Sequence, residues 1–430
     1  MKLAMLGINF KTAPVAVRER LAFSAQQVPA ILARLGELLP GVERVLLCTC
    51  NRTELYVGSR VALPDGEALR RALLEDCGEV DQAALADAFY SKHDATAAEH
   101  LFAVAASLDS MVVGETEVLG QVKQAYAMAT DLGAVGPALH PVFQSALRVA
   151  KQVHAETGIS RGRVSVSSLA VEFTERIFDD LAAKTVMIVG AGETAELALR
   201  SLVERGVRDV LIFNRSPERA ATLAAPHAGK AIPFELLMDY LARADLVLAS
   251  TSSPHPLIWA ADVRRAVVER RGKPMLLIDL SVPRNIDPAV AGLENVYLYH
   301  IDDLQKVAAE NLANRGDGVA RAWELVREGA HALAAVTETG DLRTLLKAFD
   351  EQSTRMREEA VRLCLARPGL SGLPEAGREE VAAMADKLVR KMLAQPRESL
   401  KAAARNGRWD EYARVARDLF RLDRDPREPL

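Results

Sequence analysis

The sequence predicts a multidomain α/β chain: a small unit of mixed strands and helices, a doubly wound unit with a parallel sheet, and an all-helical tail. Three observations carry this. Strand and helix patterns follow the order β-α-β-β-α-β in the N-terminal part. An apolar strand then enters a glycine turn and a helix in "KTVMIVGAGETAELALRSLVERG", and further apolar strands alternate with helical segments. From Asp302 onward no strand signal remains.

Bulk properties agree. The chain has 430 residues, 49% of them hydrophobic and 26% charged, enough apolar material for a large core and too much for disorder. The net charge of −4 gives no global basic field of the kind that announces a nucleic-acid partner. No apolar run reaches the length of a membrane span, and the opening "MKLAMLGINFKTAP" lacks the layout of a signal peptide. Cysteines stand only at 48, 50, 77 and 364, too sparse for a disulfide framework, so a reducing, cytoplasmic setting is expected.

The elements follow in order. "KLAMLGI" predicts a strand, and Ser24 an N-cap for the helical pattern "AQQVPAILARLGELL". "RVLLCT" and "TELYVG" predict two strands split by a polar hinge; "GEALRRALLEDC" predicts a helix and "DAFYSKH" a strand. This order defines a ferredoxin-like unit. From Thr96 to about Asp180 the pattern is helical, with breaks at Gly114, Gly136, Pro141 and Gly158. "DVLIFNRS", "DLVLASTSS" and "PMLLIDLSVPR" add strands to the doubly wound unit, which ends near "NVYLYHIDD". "DDLQKVAAENLANRGDGVARAWELVREGAHALAAVTE" reads as one long helix interrupted at Gly316 and Gly318, and more helices follow, broken by "ARPGLSGLPEAG". The boundaries drawn are 1–160, 161–301 and 302–430.

Two motifs carry chemistry. In "GAGETA", from Gly190 through Ala191, Gly192, Glu193 and Thr194 to Ala195, the first glycine permits a tight turn. The second lets backbone approach a pyrophosphate, and the small third residue lets helix pack on strand, in a Rossmann-type nucleotide site. The preceding strand and following helix supply the context that the motif needs. The next strand ends in Asn214, Arg215 and Ser216, where an acidic residue would favour NAD; arginine and serine suit a 2′-phosphate, so the expected cofactor is NADPH. The second motif is "CTCNRTELY". Structural zinc takes four ligands at wider spacing, so no metal is expected there. A redox pair, a single nucleophile and two small buried hydrophobes all remain open on the residues alone. Alternation puts Cys48 and Cys50 on one strand face; at the strand end Cys50 can leave the ladder, with Arg52 nearby to favour its thiolate.

Taken together these motifs resemble the glutamyl-tRNA reductase family. "CTCNRTELY" resembles the family's cysteine signature and "GINFKTAPVAVRERLAF" its N-terminal segment. "AAEHLFAVAASLDSMVVGETEVLGQVKQAY" resembles its substrate-pocket helices, "IVGAGETAELA" and "FNRS" its NADPH domain, and "SVPRNIDP" with "DDLQKVAAENLANR" its sheet exit and long spinal helix. The match is collinear over about the first 320 residues. It implies a catalytic glutamate-recognition domain, an NADPH domain and a helical dimerisation domain on one long helix, in a V-shaped homodimer. It also implies the reaction: glutamate esterified to its tRNA is reduced by NADPH to glutamate-1-semialdehyde, the first intermediate of five-carbon tetrapyrrole synthesis. Glutamate-1-semialdehyde aminomutase is then a candidate partner.

Carried over residue by residue, Cys50 matches the nucleophile and His100 a histidine needed for activity. Thr49, Asn51 and Arg52 match a glutamate-binding run; Ser110, Glu115, Thr116, Glu117 and Gln121 match a second substrate segment. Two positions depart from the family pattern: Phe10 stands where histidine is frequent, and Glu117 where glutamine is.

The chemistry suits these residues. A thiolate converts an aminoacyl ester to a thioester with tRNA as leaving group, and a thioester accepts hydride more readily. Arg52 would pair bidentately with the substrate side-chain carboxylate. On a helix from Thr96, His100, Ser107 and Ser110 fall near one face, and His100 would protonate the leaving ribose oxygen or position substrate. The tail holds 19 Lys/Arg against 16 Asp/Glu from residue 341 onward, too even to mark a tRNA footprint. Leu304, Val307, Ala308, Leu312 and Val319 form a helical stripe suited to a twofold partner. Two other readings compete: a shikimate-type dehydrogenase, which leaves the cysteine unit unexplained, and an NADPH-sensing scaffold, which would survive loss of Cys50.

Overall fold

The computed structural model describes residues 1–75, 85, 87–111, 113–115, 117–159, 166–304, 316–405, 408–420 and 422. Contacts divide the chain into two compact units, Lys2–Ala330 and His331–Leu430.

The first unit holds two sheets. Strands β1 (Lys2–Asn9), β2 (Glu43–Cys48), β3 (Arg52–Ser59) and β4 (Tyr90–His93) form an antiparallel sheet in the order β2-β3-β1-β4. That is the ferredoxin-like order expected from the element pattern. The helix Val28–Leu38 starts later than Ser24 would place it. Pro29 sits in its first turn, where a missing N–H costs nothing, and the Ser24 hydroxyl binds Gln27 Oε1 instead of capping. The strand at "DAFYSKH" is reduced to Tyr90–His93. The helical region comprises Asp94–Ala105, Glu117–Asp131, Leu139–Glu156 and Val166–Ile177. Pro141 does not break it: it lies in the first turn of Leu139–Glu156.

That first turn has an unusual partner. The Glu43 carboxylate accepts backbone N–H groups of Gly136, Ala138 and Leu139 at 2.7–3.1 Å. It satisfies donors that a helix start leaves unpaired and complements the dipole. Glu43→Ala is expected to cost about 1–3 kcal/mol, the penalty for stranding such donors. Faster hydrogen exchange at the start of Leu139–Glu156 would register the loss; unchanged exchange would show that the cap is dispensable.

The second sheet is fully parallel, with β5 (Thr185–Val189), β6 (Asp209–Phe213), β7 (Lys230–Ile232), β8 (Leu246–Ala249), β9 (Met275–Asp279) and β10 (Val296–His300) in the order β10-β9-β8-β5-β6-β7. Both faces are covered, so the strands read as unbroken apolar runs. Val186, Ile188, Val210, Ile212, Leu276 and Ile278 enter one core, and Met187, Val189, Leu211, Phe213, Leu277 and Val247 the other. The strand order reverses between β5 and β8, the place where such sheets bind ligands. Strand β7 has no counterpart in the sequence reading: three residues at an edge give too short a pattern.

The described helix Gly316–Leu365 runs unbroken through Gly318, and residues 305–315, the earlier part of the expected long helix, lie outside the described residues. Gly318 and Gly329 face the helix Leu139–Glu156. A Cβ at Gly329 would fall 2.5 Å from Val149 Cγ2, and one at Gly318 3.0 Å from the Thr157 carbonyl. These glycines let two helices approach closely. Leu304 does not join an intersubunit stripe. It is fully buried in the dinucleotide-sheet core with Ile301, while Val307, Ala308 and Leu312 lie outside the described residues.

The second unit is helical. The remainder of Gly316–Leu365, with Glu375–Arg405 and Trp409–Phe420, closes a small core of Leu345, Leu400, Trp409, Ala413 and Ala416. Phe349 and Phe420 meet edge to face at 4.3 Å. Met384, Leu388 and Met392 on Glu375–Arg405 and Leu419 on Trp409–Phe420 stay more than half exposed, apolar surface suited to a partner. Among the described residues no helix is long and apolar enough to cross a membrane.

Candidate active site

Strands β2 and β3 form a hairpin whose last ladder pair is Cys48 with Thr53. Thr49 N–H donates to the Arg52 carbonyl at 2.8 Å, and Thr49 Oγ1 accepts the N–H groups of Asn51 and Arg52. Thr49, expected in a substrate-binding run, therefore builds the turn. Cys50 stands at the tip, outside the ladder, as its place at a strand end predicts. Cys48 remains in β2 beside Phe23 and Thr53.

Behind the hairpin lies a buried ionic cluster. Alternation along β3 points Arg52, Glu54 and Tyr56 to one face. Glu54 is fully buried and accepts from Arg52 Nη1 at 2.6 Å, His100 Nε2 at 3.0 Å, Tyr90 Oη at 2.5 Å and Tyr56 Oη at 2.6 Å. Gly7 of β1 pairs with Glu54, and a Cβ there would stand 2.8 Å from Glu54 Cγ, so glycine makes room for the carboxylate. Arg52 also reaches Asp109 Oδ2 at 3.1 Å and the Asp109 carbonyl. Lys11 pairs with the same carboxylate, and Asn9 Nδ2 donates to Tyr90 Oη at 3.0 Å. Burial pushes the Glu54 carboxyl upward, but Arg52 and then His100 outweigh it and hold it below the usual carboxylate range.

This corrects two expectations. Arg52 is not an open fork awaiting a substrate carboxylate: its Nη1 and Nη2 already serve Glu54 and Asp109. Nor is Arg52 the cation that acts on Cys50. That cation is Arg18, whose Nη1 donates to the Cys50 carbonyl at 2.7 Å. Burial, with Glu115 next, pushes the Cys50 thiol up to about 12; Arg18 opposes this and Glu117 adds to it. Burial alone also raises Cys48 to about 12, so position at the turn, not acidity, sets the two apart.

His100 sits on Asp94–Ala105, but Ser107 and Ser110 do not share its face. The helix stops at Ala105, and Ser107 follows with φ of 59°, the left-handed residue that ends it. The Ser107 hydroxyl donates to the Glu115 carbonyl. Glu115 is raised to about 8 by burial and then by Glu117, with Arg52 opposing. It is thus a neighbour of both the thiol and the ionic cluster. Ser110 Oγ draws the Glu115 carboxyl back down yet reaches no partner at full hydrogen-bond geometry among the described residues. Asn51 Oδ1 is buried with no partner among the described residues. Burial and then Glu193 raise Glu117, which brings the first turn of Glu117–Asp131 near the dinucleotide loop. Gln121 follows one turn later, half-buried; Thr116 lies outside the described residues.

The dinucleotide loop fits its expected ligand. Gly190 has φ of +113°, and a Cβ there would lie 2.0 Å from the Ser250 carbonyl. Gly192 is exposed with nothing within 4 Å of a Cβ, open to a phosphate at the start of helix Glu193–Glu204. Ala195, in the first turn of that helix, is fully buried against the sheet core. Asn214 Nδ2 binds the Ser216 carbonyl at 3.0 Å, and Ser216 Oγ accepts from Arg219 N–H to cap the helix Pro217–Ala224. Ser216 therefore has a structural task besides any phosphate contact. Arg215 is exposed, with Nη2 at 3.3 Å from Ser253 Oγ and its guanidinium 6.0 Å from the Phe234 ring centroid. Cys50 and Ala191 of the loop both pack against the core on one side of the parallel sheet.

A thiol at a hairpin tip beside a doubly wound dinucleotide unit defines a nicotinamide-dependent oxidoreductase with a cysteine in its site. Residues 6–157 match the family profile of the glutamyl-tRNAGlu reductase N-terminal domain, 172–307 that of shikimate / quinate 5-dehydrogenase, and 321–422 that of the glutamyl-tRNAGlu reductase dimerisation domain. The chain is 40% identical over 436 residues to the glutamyl-tRNA reductase of Geobacter sulfurreducens, covering all of this chain and 98% of that one. It is 39% identical to that of Pseudomonas entomophila, covering 98% of each. The solved structure of glutamyl-tRNA reductase from Methanopyrus kandleri aligns at 34% identity with a TM-score of 0.51, over 98% of this chain and 99% of that one. The chain belongs to the glutamyl-tRNA reductases. It is an oxidoreductase of the first step of tetrapyrrole synthesis; its dehydrogenase-like domain takes a nicotinamide cofactor and its C-terminal domain makes a homodimer.

Proposed function

We propose that Cys50 attacks the ester carbonyl of glutamyl-tRNA, and that the thioester is reduced to glutamate-1-semialdehyde with NADPH. The observation that carries this reading is the Cys50 turn itself: a cysteine freed from the ladder, held through its carbonyl by a buried arginine, and packed against the dinucleotide-sheet core. In the first step the sulfur–carbon bond forms and the tRNA 3′ oxygen leaves with a proton. The proton that the Cys50 thiol loses reaches the leaving oxygen by way of His100: its Nε2–H is tied to Glu54, and Nδ1, 3.9 Å from Asp109 Oδ2, is the ring atom that takes the thiol proton and passes it on. A nicotinamide dinucleotide held by the glycine loop would supply hydride at the thioester carbon. Cys50 then departs as thiolate, which restores the nucleophile and frees the aldehyde.

Recognition falls to the surrounding groups. Asn51 Oδ1, unpartnered among the described residues, and the Ser110 hydroxyl beside Glu115 are buried polar atoms that a substrate satisfies. Glu115, Glu117, Thr116 and Gln121 complete the substrate segment, with the carboxylates suited to the α-ammonium of the glutamyl group. Arg52 takes part in recognition from within its ion pairs to Glu54 and Asp109. Gly190 to Ala195 hold the pyrophosphate, and Asn214, Arg215 and Ser216 the adenosine end. We assign residues 1–160 to glutamate recognition, 161–301 to NADPH and 302–430 to the spinal helix and dimerisation. The reaction belongs in the cytoplasm, and the reactive aldehyde makes an aminomutase a natural recipient.

NADPH oxidation with charged glutamyl-tRNA, compared with free glutamate and with shikimate, tests the assignment. Turnover with the charged tRNA alone is expected; turnover with shikimate would refute it. Arg215→Ala is expected to weaken NADPH about 10–100-fold and NADH far less, because a charge-assisted contact contributes about 1.5–3 kcal/mol. Equal loss of both cofactors, measured by fluorescence titration, would assign Arg215 to the fold.

A further inference from the structure

Arg18 and Glu19, adjacent at the end of one short helix (Val15–Arg18) and the start of the next turn, both reach out of the ferredoxin-like layer. Arg18 is only 3% exposed. Its Nε donates to the Ala13 carbonyl at 3.2 Å, its Nη1 to the Cys50 carbonyl at 2.7 Å, and its Nη2 to the Asp302 carboxylate. The other Asp302 oxygen accepts Val15 N–H at 3.0 Å. Glu19 takes Arg284 in a fork, with Nε at 3.0 Å and Nη2 at 2.6 Å. Asp302 follows β10 and Arg284 follows β9, so both partners come from the carboxyl end of the parallel sheet, where its ligand binds.

A buried guanidinium is costly unless its charge and its donors are all matched. Here each nitrogen has one acceptor, and the three acceptors belong to three separate segments. A lysine could not serve them together, because it has no planar fork. Among the described residues the charged groups acting on the Cys50 thiol are Glu115, Arg18 and Glu117, of which Arg18 is the cation.

We propose that Arg18 is the positioning residue of the nucleophile: it fixes the Cys50 turn through the peptide carbonyl and sets a cation against the thiol, while Asp302 holds it in that pose. Seating of the dinucleotide unit against the hairpin and readiness of the thiol are thereby set by one guanidinium. The proposal rests on Cys50 being the nucleophile.

The test alkylates the full-length protein with iodoacetamide across a pH series and reads Cys50 and Cys48 separately by peptide mass spectrometry. Arg18→Gln is expected to move the Cys50 profile up by about one pH unit, the smaller end of the effect of a neighbouring opposite charge, and to leave Cys48 in place. At fixed neutral pH that is about a tenfold slower reaction at Cys50. Arg18→Lys, which keeps the charge and loses the fork, is expected to restore most of that shift but not the turnover. Asp302→Asn, which leaves Arg18 less firmly held, is expected to slow Cys50 alkylation in the same direction as Arg18→Gln, by up to about tenfold, the scale of a hydrogen-bonded charge lost from a tie, and to leave Cys48 in place. A Cys50 profile unmoved in Arg18→Gln, or one that shifts together with Cys48, overturns the proposal. Should Arg18→Gln fail to fold, Arg18→Lys with wild-type turnover, or Asp302→Asn with wild-type Cys50 alkylation, overturns it equally. Alkylation is read without turnover, so these failures are distinct from that of the nucleophile itself, which full activity in Cys50→Ser would signal.

Discussion

Cys50→Ser is expected to lower reduction of glutamyl-tRNA by about a thousandfold or more, the scale of removing a covalent nucleophile, while Cys48→Ser keeps activity within about tenfold. The two cysteines are chemically alike and both are raised by burial. What differs is geometry. Cys48 ends β2 opposite Thr53 and is part of the ladder. Cys50 stands in the Thr49–Arg52 turn, and its own carbonyl is the one Arg18 holds. A serine there keeps shape and hydrogen bonding, but an alkoxide is far harder to form than a thiolate and leaves the reduced carbon less readily. Loss of activity with unchanged NADPH binding is the expected pattern. Comparable loss in both variants would point to a redox pair instead.

Glu54→Gln should be the most damaging conservative change in the small unit. It removes a charge that Arg52 and His100 share in a fully buried place, and breaking such a pair costs about 3–5 kcal/mol. The amide also presents N–H donors to Tyr56, Tyr90 and His100, which are donors themselves. Hydrogen exchange in β1 and β3 would rise sharply, and wild-type protection there would contradict the account. The pH dependence follows from the direction of the shift. A carboxyl held low in the folded state contributes stability above its unfolded pKa, and that contribution fades as pH falls toward the folded value. Asp109, also held low on balance by Arg52 against its own burial, acts in the same window. Wild-type protection should therefore weaken as pH drops below the ordinary carboxylate range, and Glu54→Gln should show a flatter profile there.

The parallel sheet was the most readable part of the chain. Its strands are covered on both faces and appear as short apolar runs, and Gly190 marks the first turn. The edge strand β7 escaped, because Lys230–Ile232 is too short and too exposed to carry a period. The Cys50 turn was readable only as a strand end with a polar hinge. The ionic cluster was not, since Glu54 is met by Tyr90 and His100 from 36 and 46 residues away. One signal was present: Arg52, Glu54 and Tyr56 alternate along a strand whose eight residues are all buried, and buried charges two apart on one face need partners. Arg18 gave no signal. Its acceptors are two carbonyls and a carboxylate 284 residues distant, and a sequence shows neither.

The central claim is that substrate is carried as a thioester on Cys50. It is tested most directly by mixing the protein with glutamyl-tRNA without nicotinamide cofactor, quenching in acid and mapping the adduct by mass spectrometry. A glutamyl group on the Cys50 peptide, formed in step with tRNA release and discharged as aldehyde when NADPH is added, is the result expected. Release of tRNA with no adduct at Cys50, or an adduct that NADPH does not reduce, would contradict it.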